Sequence, residues 1–156
     1  MDRFAFIWLR FNGRIDRLTW IAFAALISLL EYGSELMLRR AFHWPAPART
    51  GETLSSYLGD EISLLASLIF LWPSLAVDVK RWHDQGKSGW FAAFVYGPAL
   101  ALFAFALWGP GAAVSQPDRR ATALLYAFGL VSLVYLILLA ARKGGEETNR
   151  YGPPPP

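Results

Sequence analysis

The chain has no cysteine, which excludes a disulfide framework, a thiolate metal site and thiol catalysis. Histidine is nearly absent as well, with His43 and His83 alone, and the topology reached below puts these two on opposite sides of a membrane, so neither a metal site nor a cofactor is expected. No serine sits in a nucleophile-elbow pattern, and Gly86-Lys87-Ser88 lacks the upstream glycine spacing of a phosphate loop. No internal repeat is visible, so the inverted repeats of many transporters are not signalled. Charge is thin: 17% of the 156 residues are charged, against 54% hydrophobic and 15% aromatic, a balance too apolar for an ordinary soluble domain of this size. The net charge of +3 does not point to nucleic acid, because the basic residues all flank apolar runs, where they act as topology signals and as contacts to anionic lipid.

What is present is a set of four apolar runs at residues 18–38, 61–79, 90–108 and 121–141. Each has roughly 20 residues, enough at about 1.5 Å per residue to cross a hydrocarbon core of about 30 Å. The first run is too long for a signal-peptide core and reads as an uncleaved span. The pattern predicts an all-α membrane protein, a four-transmembrane-helix bundle forming one domain over residues 1–156. Ahead of it, Phe4, Ile7, Trp8 and Phe11 recur at helical spacing with Arg3 and Arg10 on the other side, which predicts an interfacial amphipathic helix over residues 3–12. Trp20 is expected at headgroup depth, and Trp90 and Trp108 are expected as anchors at the two ends of the third run. Pro73 and the Gly97-Pro98 pair predict kinks in the second and third helices. Small residues four apart, Ala93, Gly97 and Ala101 in the third run and Ser63 with Ser67 in the second, mark faces for close helix approach and hence the bundle interior. The Pro-rich tail, residues 152–156, is expected to be extended.

Orientation follows from counting lysine and arginine in the connections. Arg3, Arg10, Arg14, Arg17, Lys80, Arg81, Lys87, Arg142, Lys143 and Arg150 fall on one face, and Arg39, Arg40, Arg49, Arg119 and Arg120 on the other. The richer face should be cytoplasmic, with both termini inside.

Two groups of residues invite a chemical reading. Glu31 and Glu35 lie one turn apart on the first run, with Arg39 continuing the spacing. A carboxylate at the centre of a membrane helix costs about 2.5 to 3.5 kcal/mol on insertion scales. These two are therefore either a proton or cation relay, or interfacial residues paired with Arg39 and Arg40. The second group is the segment at residues 80–90, where His83 and Asp84 stand among Lys80, Arg81 and Lys87. As sequence neighbours on a helix they point about 100° apart, so they do not form a catalytic histidine–carboxylate pair without an unusual turn. The alternative is a tight basic turn that fixes two helices against the headgroups.

Three segments together resemble a known family: Phe11-Asn12-Gly13-Arg14-Ile15-Asp16-Arg17 with Trp20, the segment at 80–90, and Asn149-Arg150-Tyr151-Gly152-Pro153. The chain is similar over nearly its whole length to the bacterial inner-membrane family called domain of unknown function 805. It departs from that pattern at Trp82 and Phe91, where a leucine and a second tryptophan are expected, and at Pro154, where an aspartate is expected. The resemblance implies a multi-pass protein of the bacterial inner membrane with four spans, and it brings no activity. All three segments fall on the face counted as cytoplasmic, where Arg14, Arg17, Arg81, His83, Asp84, Lys87 and Arg150 would form either an ion-pair network or a basic pocket for an anionic lipid headgroup or a partner protein. The leading expectation is a non-enzymatic envelope protein that binds anionic lipid, a membrane partner or a second copy of itself. The alternatives are a transporter or channel component using Glu31 and Glu35, and a lipid-headgroup enzyme using His83 and Asp84.

Overall fold

The computed structural model describes residue 6 and residues 8–44, 61–108 and 119–155. Residues 3–5 and 7 of the expected interfacial helix lie outside the described residues; Phe6 and Trp8 are helical, and residues 9–12 are not. Among the described residues there are four α-helices and no strand: α1 Arg17–Ala41, α2 Glu61–Asp84, α3 Ala93–Trp108 and α4 Arg119–Ala141, with a short 3-10 turn, Gly89–Ala92, leading into α3. The four apolar runs are thus four helices. One of them, α1, is long and apolar enough to cross a membrane by length and composition.

Local chemistry sets the helix ends. Asp16 caps α1, its carboxylate accepting from the backbone N–H of Leu18 and of Thr19 at 3.2 Å each, which satisfies two donors that have no partner inside the helix. Burial acts to raise the Asp16 carboxyl, but these hydrogen bonds outweigh it and hold the group below its ordinary value. α2 runs five residues beyond the end of its apolar run. The drop in hydropathy at Lys80 is not a helix stop; the stop is Gly86, whose φ of 73° suits glycine and closes a Schellman motif. In that motif Lys87 N–H donates to Trp82 C=O at 2.9 Å and Gly86 N–H to His83 C=O at 3.0 Å. Much of the expected basic turn is therefore the last turn of a helix. α2 and α3 continue through Pro73 and Pro98.

The core is built from Ile15 just before α1, Trp20 and Ile27 on α1, Val77 and Trp82 on α2, Ala92 before α3, and Tyr135 and Leu139 on α4. Around it the distribution of polarity is inverted. Arg14, Asp78, Lys80, Arg81 and Asp84 are buried, while Leu18, Leu29 and Met37 of α1, Ile69 of α2, Phe94 of α3 and Leu130 and Ile137 of α4 face outward, the reverse of a water-soluble surface.

Two expectations need correction. Trp20 is 4% exposed and is a core residue rather than an interfacial anchor, because its indole N–H finds a buried acceptor described below. Ala93, Gly97 and Ala101 are exposed; the inner face of α3 is instead Val95 and Tyr96, which pack against the core. Ser63 and Ser67 do face α1, as expected.

Candidate functional site

One end of the bundle gathers the segment before α1, the end of α2 and the residues after α4, and it is organised by the carboxylate of Asp84. Arg14 Nε and Nη2 donate to Oδ1 at 3.2 and 3.1 Å, and Arg81 Nη1, one turn back on α2, donates to Oδ2 at 2.5 Å. The side chains of both arginines are fully buried and that of Asp84 is 2% exposed. Charges removed from water need their remaining donors occupied, and here backbone carbonyls do it. Arg14 Nη1 donates to Glu147 C=O at 2.7 Å and to Gly152 C=O at 3.3 Å, and Nη2 also reaches Gly145 C=O. Arg81 Nε donates to Leu139 C=O at 2.9 Å, and Nη2 to Arg142 C=O. Arg81 thereby caps the C-terminal end of α4, whose last carbonyls have no partner within the helix. A Cβ at Gly144 would collide with the Asp84 carboxylate, so this approach depends on glycine.

His83 sits beside this network, not in it. Its Nδ1 donates to Gly13 C=O at 3.2 Å, which places the proton on Nδ1. The Tyr151 ring stacks on the imidazole at 3.7 Å with 7° between planes, and Asn149 Nδ2 donates to His83 C=O at 3.0 Å. Burial lowers the His83 imidazole below its ordinary value, Gly13 works against that, and the charges of Arg150 and Lys80 add to it. Lys80 Nζ donates to Phe6 C=O at 2.9 Å and to Arg10 C=O at 2.5 Å, which ties the segment before α1 to α2.

Of the residues singled out in the sequence, Arg14, Arg81 and Asp84 thus converge in one closed network. Among the described residues no hydrogen bond joins His83 to Asp84. Lys87 is half-buried, with its ammonium over the rings of Trp82 at 5.1 Å and Phe91 at 5.3 Å. Arg17 and Arg150 are exposed, Arg150 lying over the Tyr151 ring at 4.7 Å. Toward the other end of the bundle, Glu35 accepts from Arg39 Nη2 at 2.7 Å and from Ser63 Oγ at 2.9 Å, and Glu31 accepts from Ser67 Oγ at 2.5 Å. Glu35 therefore has the arginine partner that its spacing suggested, whereas Glu31 is held by a neutral hydroxyl.

The sequence reading passed over Asp78, which is 7% exposed. Its Oδ1 accepts from Trp20 Nε1 at 2.8 Å, and its Oδ2 accepts from the hydroxyls of Tyr96 and Tyr135 at 2.9 Å each. Trp20 is on α1, Tyr96 on α3 and Tyr135 on α4, so a single carboxylate on α2 binds all four helices. The available signal was a lone acid just inside the end of an apolar run, with polar aromatics in each of the other three, Trp20, Tyr96 and Tyr135 among them. Between Asp78 and Glu31 lies a cavity of about 140 Å³.

Buried polar hubs beneath outward apolar side chains define a small helical bundle. The chain belongs to the family DUF805, described as protein of unknown function, whose model matches residues 8–153, a span that includes all three recognised segments. No match is found among curated proteins or among solved structures.

Proposed function

We propose that this chain is a non-enzymatic, four-span protein of the bacterial inner membrane, with both termini cytoplasmic, whose rim engages anionic lipid headgroups or a membrane partner, a second copy included. The carrying observation is the closure of the Arg14–Asp84–Arg81 network: these charges are spent inside the protein, while Arg10, Arg17, Arg142, Lys143 and Arg150 stand exposed near the same end and Lys87 is half-buried. Cations at a membrane surface contribute about 1 kcal/mol each to contact with anionic lipid. Contact therefore falls to these exposed cations, Arg17 and Arg150 among them, and to the half-buried Lys87. The apolar outward faces of all four helices support the membrane assignment. The cysteine-free background allows a direct test. Single cysteines at Thr50 and Gln116 are expected to react with a membrane-impermeant thiol reagent in intact cells, and those at Ser88 and Thr148 to stay protected. Labelling at Ser88 from outside would overturn the orientation.

A second reading is favoured by the cavity between Glu31 and Asp78, lined also by Ser28, Ser74, Trp20 and Tyr96. In this reading the bundle is a transporter or channel component, with Glu31 on a wet path. Glu31→Gln is then expected to change proton or cation flux into vesicles carrying the purified protein; equal flux in the two would remove the reading.

A further inference from the structure

On the flank between α2 and α3 lies a groove of about 690 Å³, within the usual size of a small-molecule site of about 300–1,000 Å³. Its two ends differ in chemistry. Away from the rim it is apolar, with Leu75 and Val79 on α2 and Ala93, Gly97 and Leu100 on α3. This is where the exposed small residues of α3 belong: they widen a channel rather than admit a neighbouring helix of the same bundle. At the rim the walls become polar and aromatic, with Asn12, His83, Ser88, Trp90 and Tyr151.

No carboxylate lines the groove. A cation borders it: the Arg150 guanidinium lies over the ring of the lining Tyr151 at 4.7 Å, whereas Lys87 lies over Trp82 and Phe91, which are not part of the lining. On α2, Asp84 is occupied by its two arginines and Asp78 by Trp20, Tyr96 and Tyr135. The groove thus has an apolar slot continuing into a polar end bordered by a cation, the layout complementary to one acyl chain with a phosphate at its end.

We propose that this groove holds a single membrane phospholipid, its chain laid along Ala93 and Gly97 and its anionic headgroup beside Arg150. The inference rests on the four-span reading, because α3 must stand in the bilayer for a chain to enter from the side. Within a bilayer the chain gains nothing from leaving water, since it is already in hydrocarbon. Selection therefore comes from fit in the slot and from the charge at the mouth. Gly97 is the point at which fit can be tested cleanly, because a Cβ there meets no atom within 4 Å and a larger side chain projects into the groove without disturbing the core.

The experiment is native mass spectrometry of the full chain released from nanodiscs made of equal amounts of phosphatidylglycerol and phosphatidylethanolamine. The wild-type protein is expected to retain one phospholipid, with phosphatidylglycerol preferred. Gly97→Leu, and separately Ala93→Leu, should lose the retained lipid while keeping the helical content and melting behaviour of the wild type. Arg150→Gln should keep a lipid but lower the preference for phosphatidylglycerol by about fivefold, as removal of one surface cation predicts. Equal retention in wild type and both leucine variants overturns the proposal. A wild-type dimer without lipid that Gly97→Leu dissociates also overturns it, and assigns the groove to a second copy. Failure of the cysteine-labelling pattern would instead count against the four-span reading, so the two failures are distinguishable.

Discussion

Asp78→Ala is expected to loosen all four helices at once. The substitution leaves the Trp20 indole N–H and the hydroxyls of Tyr96 and Tyr135 without their acceptor. An unmade buried hydrogen bond costs about 1–3 kcal/mol in water-soluble proteins, and interhelical bonds between membrane helices average about 0.6 kcal/mol, so three together should cost about 2–4 kcal/mol. Tyr96→Phe removes one donor and should cost about 0.5–1.5 kcal/mol; Tyr135→Phe should sit at the upper end of that range, because its hydroxyl also accepts from Trp82 Nε1 at 3.3 Å. The measurement is equilibrium unfolding in mixed micelles, followed by tryptophan fluorescence. An Asp78→Ala protein no less stable than Tyr135→Phe would show that the carboxylate does not act as a shared acceptor. Asp78→Asn is a sharper version. Its amide has one accepting oxygen, and if that serves the two tyrosines, the NH₂ group faces the Trp20 N–H donor to donor. It should therefore lie between the two.

Asp84→Ala is expected to be at least as damaging, for a different reason. Here the groups left behind are charged: both guanidiniums are fully buried, and breaking a buried ion pair from one side costs about 3–5 kcal/mol. The effect should spread beyond α2, because Arg14 and Arg81 together hold carbonyls of residues 139, 142, 145, 147 and 152. Amide hydrogen exchange at residues 144–152 is the discriminating observation, with protection expected to fall in Asp84→Ala and in Arg14→Ala alike. The two substitutions should be strongly non-additive, as expected of residues in one network. Protection of that segment that survives Asp84→Ala would separate the segment from the network and refute the assignment.

The helices were legible because hydropathy reports directly on where a chain has no use for water. Their ends were not legible from the same signal. Lys80 and Arg81 look like the point where a span meets the headgroups, yet the helix passes through them to Gly86, since backbone hydrogen bonding does not register side-chain charge. The convergence of Arg14, Arg81 and Asp84 was readable only because three separated segments resembled a family jointly; spacing alone did not bring residues 14 and 84 together. Asp78 escaped for a related reason. A carboxylate at the edge of an apolar run reads as the end of the run, and its importance appears only when Trp20, Tyr96 and Tyr135 are seen to point at it from three other helices. Trp20 was misplaced by the same gap: tryptophan at a helix start is a good rule for interfaces, but a buried acceptor within reach overrides it. The small-residue face of α3 was read as a place of close helix approach in the bundle interior, whereas Ala93, Gly97 and Ala101 are exposed and a Cβ at Gly97 would meet no atom within 4 Å.

The Arg14–Asp84 contact joins residues 70 positions apart, and the carbonyls that complete the Arg14 site lie 131 to 138 positions downstream. During synthesis Arg14 is therefore made long before anything that can neutralise or cap it. Until residues 145–152 leave the ribosome, its guanidinium lacks the carbonyls that complete its site in the finished bundle. The bundle is thus assembled like a clasp, with its earliest residue held open until some of its latest arrive. A premature stop before residue 145 would yield a protein with all four helices and an unlatched rim.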